Sequence, residues 1–175
     1  MILSRRRVIP LIAAAASVSP VFMVRAQGDV WREYRRDDLG FRVEMPGEPD
    51  VDEMEDEAKD IVLRSLDAQV DYEKIIFGVH HTEYKNVVSA DEEFGLLRKG
   101  MATGGFAVTR EAALTIDGVS AREFVSDSDT INIVHRLIVR DRFTIGVAVA
   151  GEREIHDSPL TRRFFDSFKL VGNAR

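Results

Sequence analysis

His80 and His81 stand side by side, and imidazole is the side chain best suited to binding a transition metal or passing a proton near neutral pH. Their neighbours alternate in the manner of a strand, where successive side chains point to opposite faces, so the two rings cannot chelate one ion. His81 and Glu83 share a face two residues apart and are the nearest approach to a metal-ligating pair. Two ligands fall short of the roughly three or four that a tight transition-metal site requires, which leaves them weak candidates. His135 has the parity of Ile131, Ile133, Leu137 and Val139, an apolar sheet face, and reads as a satisfied core histidine whose pKa would answer to burial.

Carboxylates crowd the run Glu48-Pro49-Asp50-Val51-Asp52-Glu53-Met54-Glu55-Asp56-Glu57. A calcium loop of the EF-hand type needs alternating oxygen ligands around a central glycine, and that glycine is missing here and from Asp127-Ser128-Asp129. The run reads instead as a solvated loop or an edge strand whose charge protects the sheet, with weak divalent cation binding left open. Nucleophilic catalysis finds no Gly-x-Ser-x-Gly elbow, phosphate binding finds no Gly-x-Gly-x-x-Gly, and the chain has no cysteine. No catalytic residue and no cofactor is therefore assigned.

The elements that would position these residues are mostly strands. Phe41, Val43 and Met45 alternate with Arg42 and Glu44 before Pro46-Gly47 stops the run. Further strands are expected over 60–68, 73–82, 106–116, 119–126, 130–140 and 142–150. Asp117-Gly118 is the strongest hairpin signal, and Asp141 between arginines turns a second. One helix is expected behind a capping box at Ser89 to Glu92, with Phe94, Leu97 and Met101 on one face. Another begins at Ser158-Pro159 with Leu160, Phe164, Phe165 and Phe168 as its apolar stripe. Strands around two separated helices indicate an α+β domain, a mainly antiparallel sheet with helices packed on its faces.

The N-terminus has another character. Arg5-Arg6-Arg7 precedes the uncharged run Val8 to Val24, which is broken by Pro10 and Pro20 and followed by small residues around Ala26. That is the layout of a cleavable signal peptide over 1–26, with the single domain occupying 27–175. The arginines after Ser4 resemble a twin-arginine export signal, with Val8-Ile9 in place of the usual Phe-Leu. The precursor carries 24 basic and 30 acidic residues, and losing its four N-terminal arginines leaves 20 against 30, a net charge of −10. Such a chain repels phosphate backbones and anionic lipid surfaces, so nucleic acid and stable membrane insertion of the mature chain are not expected.

Gly40-Phe41-Arg42-Val43-Glu44-Met45-Pro46-Gly47-Glu48-Pro49, Gly118-Val119-Ser120-Ala121-Arg122-Glu123 and Arg163-Phe164-Phe165-Asp166-Ser167-Phe168-Lys169-Leu170 resemble the small exported PsbP-like proteins. The resemblance implies an α/β/α sandwich and a habit of binding other proteins, and it implies no catalytic residue. The expectation is a periplasmic, non-catalytic binding or accessory module with a basic protein partner. Its speculative binding surface is Asp50, Asp52, Glu53, Glu55, Asp56 and Glu57. The alternatives are a small hydrolase or metal-dependent enzyme assembled from strand residues, with His135 and His81 as suspects, and a carrier of a small apolar ligand.

Overall fold

The computed structural model of the protein describes residues 31–55, 62–152 and 155–172. The expected signal peptide, Asp56 and Glu57 lie outside them. The described chain runs β1 (Arg32–Arg36), β2 (Phe41–Met45), β3 (Asp50–Glu55), β4 (Val62–Tyr72), β5 (Ile75–Tyr84), α1 (Ala90–Thr103), β6 (Ala107–Ile116), β7 (Val119–Asp127), β8 (Asn132–Arg140), β9 (Phe143–Gly151), a 3-10 turn (Ile155–Asp157), α2 (Pro159–Ser167) and β10 (Lys169–Leu170). A seven-stranded sheet has the order β3-β4-β5-β9-β8-β7-β6, and a three-stranded sheet has the order β1-β2-β10. All described pairings are antiparallel. The α+β class and the mainly antiparallel sheet follow directly.

Turn chemistry joins neighbouring strands. Asp117 and Gly118 both take positive φ, 48° and 83°, which matches the right-handed twist of the flanking strands in a two-residue hairpin. Asp141 (φ 49°) turns β8 into β9. A third hairpin sits where no turn was expected: Glu73 and Lys74, at φ 51° and 63°, close β4 onto β5. The two strands accordingly meet at 72 and 75 instead of ending at 68 and starting at 73. Neither residue favours the left-handed region, so long cross-strand pairing imposes the turn on them.

The two faces of the large sheet are covered differently. On one, Leu66, Val79, Ile145, Val147 and Ile138 form a continuous core with Phe41, Val43 and Met45 of β2 and with Phe164, Phe165 and Phe168. Phe164 of α2 meets Phe77 edge-on at 5.3 Å, which ties the helix to the middle of the sheet. On the other face α1 sets Phe94 and Met101 against Phe124, Leu137 and Val139 of β7 and β8, a smaller cluster that Val108 of β6 joins at its margin.

Both helix starts show how local chemistry is used. Ser158 caps α2, its Oγ accepting from the Thr161 amide at 3.0 Å, with Pro159 following in the first turn. The capping box expected at Ser89 does not form, because the Ser89 hydroxyl makes no cap hydrogen bond. Glu93, one residue beyond the expected partner, is instead engaged by the Tyr84 hydroxyl at 3.2 Å. Phe168 is also displaced from expectation, lying just past α2 in extended backbone while remaining 3 % exposed. No described helix is long and apolar enough to cross a membrane.

Candidate functional site

Strand parity and register define one surface. Asp52 on β3 lies opposite Asp67 on β4, Asp67 opposite His80 on β5, and His80 opposite Gly146 on β9, so these residues form a row across four strands. Asp50 opposite Gln69, and Asp71 opposite Ile76, flank the row on the same face. This is the face on which α1 packs, but α1 makes its main contacts in the far half of the sheet, against β6 and β8, and meets β5 at Tyr84. Asp50, Asp52, Gln69, Asp71 and Ile76 are exposed as a result. Among the described residues of β3, β4, β5 and β9 that share the face, none is lysine or arginine.

A hydrogen-bonded chain crosses this open half. His80 Nδ1 lies 2.8 Å from Asp67 Oδ1, and His80 Nε2 lies 2.7 Å from Thr82 Oγ1. In the tautomer that donates from Nδ1 to the Asp67 carboxylate, Nε2 accepts from the threonine hydroxyl. The connectivity of carboxylate, imidazole and hydroxyl is that of an activated nucleophile. Thr82, however, is 3 % exposed, leaving its hydroxyl little access to a substrate. Tyr84 continues the seam to α1 through Glu93, and burial raises both groups, the tyrosine to about 12. The Glu93 carboxylate adds to the effect on Tyr84.

His135 lies on the same face beside the end of this row, 3 % exposed, with its Nε2 against the backbone of Gly146. A Cβ at Gly146 would meet that nitrogen at 2.6 Å, so the glycine is what lets the ring lie down. The core placement was expected, but a satisfied ring was not found, since Nε2 has no hydrogen-bond partner among the described residues. Burial, with a smaller contribution from nearby His80, lowers its pKa to about 3 and keeps the ring neutral.

His81 and Glu83 share the opposite face and do not join. The His81 ring stacks on Phe143 at 5.7 Å, its Nδ1 without a partner among the described residues, and burial drives its pKa to about 4. Glu83 Oε1 instead lies 3.7 Å from Arg142. Among the described residues no three His, Cys, Asp or Glu side chains gather as a metal set.

The acidic run divides by parity. Asp50 and Asp52 point to the open face, while Glu53 points to the other, where it binds Arg36 at 3.1 Å and Arg64, which also holds Asp38. Those guanidiniums hold the Glu53 and Asp38 carboxyls below their usual range, and the network anchors β3 and β4 to β1. Glu53 is thus spent on structure. Glu55 ends β3, with its side chain undescribed. The sequence reading missed Asp67, Asp71 and His80 as parts of this surface. Their alternation with Leu66, Ala68, Val70 and Val79 carried the signal, but their proximity to β3 depended on strand order.

The chain matches no protein-family model and no curated protein.

Proposed function

We propose that the protein is an exported, non-catalytic binding or accessory module of the periplasm that docks a basic partner protein on the open half of its large sheet. The carrying observation is that half-face itself, with four carboxylates from Asp50, Asp52, Asp67 and Asp71 on one uncovered side and no lysine or arginine on its described strand positions. Charge of one sign on an uncovered surface speeds encounter with an opposite surface and rejects like-charged ones. The resemblance to PsbP-like proteins, with the sandwich it implies, points the same way. The helices on opposite faces and the filled interior around Phe41, Phe77 and Phe164 support that reading.

The hydrolase alternative has one observation in its favour, the Asp67–His80–Thr82 chain, and the burial of Thr82 weighs against it. The test is in-cell crosslinking of the protein beside a variant carrying Asp50→Asn, Asp52→Asn, Asp67→Asn and Asp71→Asn, with capture repeated at rising salt. Partners lost from the variant, and captured less as salt rises, are expected. Equal capture by both forms at all salt concentrations would refute the acidic docking face.

A further inference from the structure

We propose that the free edge of β3 accepts an extended cationic segment of a partner by strand addition, with lysine or arginine at alternate positions of that segment seated beside Asp50 and Asp52. The inference rests on the docking reading above and names the form the partner takes. In the described sheet order β3 is terminal, so one side of its backbone has N–H and C=O groups with no described neighbouring strand. Such an edge is a template for another strand. Asp50, Val51, Asp52, Glu53 and Met54 are all exposed along it.

The side chains select what can add. Asp50 and Asp52 are two residues apart on the open face and form no ion pair among the described residues. Asp52 also lies directly opposite Asp67, and like charges facing across a strand pair are destabilising until a cation intervenes. A strand laid on this edge places alternate side chains on the same face, so basic groups spaced like the two aspartates would meet both. Val51 lies between them on the opposite face and is 47 % exposed, which favours an apolar residue between the two basic ones. Met54, also 47 % exposed, extends the apolar contact.

The same charges exclude a second copy of this strand, since two β3 edges would bring carboxylates against carboxylates. The opposite sheet edge offers no equivalent. β6 is irregular between Val108 and Arg110, and its charges are engaged at home, Arg110 with Glu123 at 3.1 Å and Glu111 with Arg98 and Arg122 at 2.8 Å each.

The test uses the purified protein with a short peptide of alternating lysine and valine, the same peptide with glutamate for lysine, and the lysine peptide N-methylated at alternate backbone positions. The lysine peptide should bind about tenfold tighter than the glutamate peptide, and an Asp50→Asn, Asp52→Asn variant should lose about tenfold. N-methylation should abolish binding, and amide hydrogen exchange along β3 of the unaltered protein should slow on binding. That last readout stands even if the variant folds poorly. Binding that survives N-methylation and leaves β3 exchange unchanged would overturn strand addition while leaving open-face docking in place. No preference for lysine over glutamate would overturn the inference outright, and the crosslinking result would then judge the docking reading separately.

Discussion

At the scale of single residues, the two most buried imidazoles are liabilities in acid. His135 titrates near 3 and His81 near 4, both below the ordinary histidine value because burial penalises the charged ring. A folded pKa below the unfolded one means that the unfolded chain binds more protons, so stability is present above about pH 6.5 and falls as pH drops toward the folded values. Each histidine contributes a loss of about 1.4 kcal/mol per pH unit in that window, or about 3 kcal/mol per unit for the two. Asp38, Glu53 and Glu111, held low by arginines, add losses only in the lower carboxylate range, whereas the raised Glu93 acts in the opposite direction. Denaturant unfolding at pH 7.5, 6.5, 5.5 and 4.5 should therefore show a decline that begins in the histidine range. A flat profile down to the carboxylate range would mean that the rings are hydrated or paired in solution. His135 was legible as a core residue from its parity with Ile133, Leu137 and Val139, but its unsatisfied Nε2 was not, because that depends on Gly146 of another strand.

At the scale of elements, what could be read in advance was what depends on local chemistry. The alternation of β2, the Asp117-Gly118 turn and the Ser158 cap each declare themselves within a few residues. β1 did not, since Arg32–Arg36 is almost wholly polar and becomes a strand by pairing with β2. Glu73-Lys74 did not either, for the same reason of imposed geometry. The C-terminal segment was legible in composition but not in extent: Phe164 and Phe165 belong to α2, and Phe168 packs after it, 6.2 Å from Phe41 in a stacked arrangement. Arg136 lies 4.3 Å over the Phe165 ring and adds a cation–π contact. Replacing Phe165 or Phe168 by alanine should cost about 3 to 5 kcal/mol in equilibrium unfolding. Losses well below 1 kcal/mol for both would show that this segment is peripheral to the fold.

At the scale of the whole molecule, parity within each strand could be read from sequence, whereas the order of strands and the reach of α1 could not, and those two facts create the open acidic half-face. The N-terminal arginines are expected to act before the mature domain does, as part of a cleaved export signal. The folded structure already engages Trp31, whose ring meets Phe77 at 5.6 Å and lies under the Arg163 guanidinium at 4.6 Å. Cleavage after Ala26 would leave Gln27 to Val30 ahead of that packed residue, so processing would not cut into the described domain. It would also strip four positive charges and take the chain to a net −10. Changing Arg5, Arg6 and Arg7 to lysine keeps the charge and removes the paired guanidiniums, which separates a twin-arginine route from general secretion. Fractionation with N-terminal sequencing should find the wild-type chain in the periplasm beginning at Gln27 and the lysine variant retained as precursor. Normal processing of the variant would assign the general route, and a wild-type chain still carrying residues 1–26 outside the cytoplasm would overturn the cleavage site.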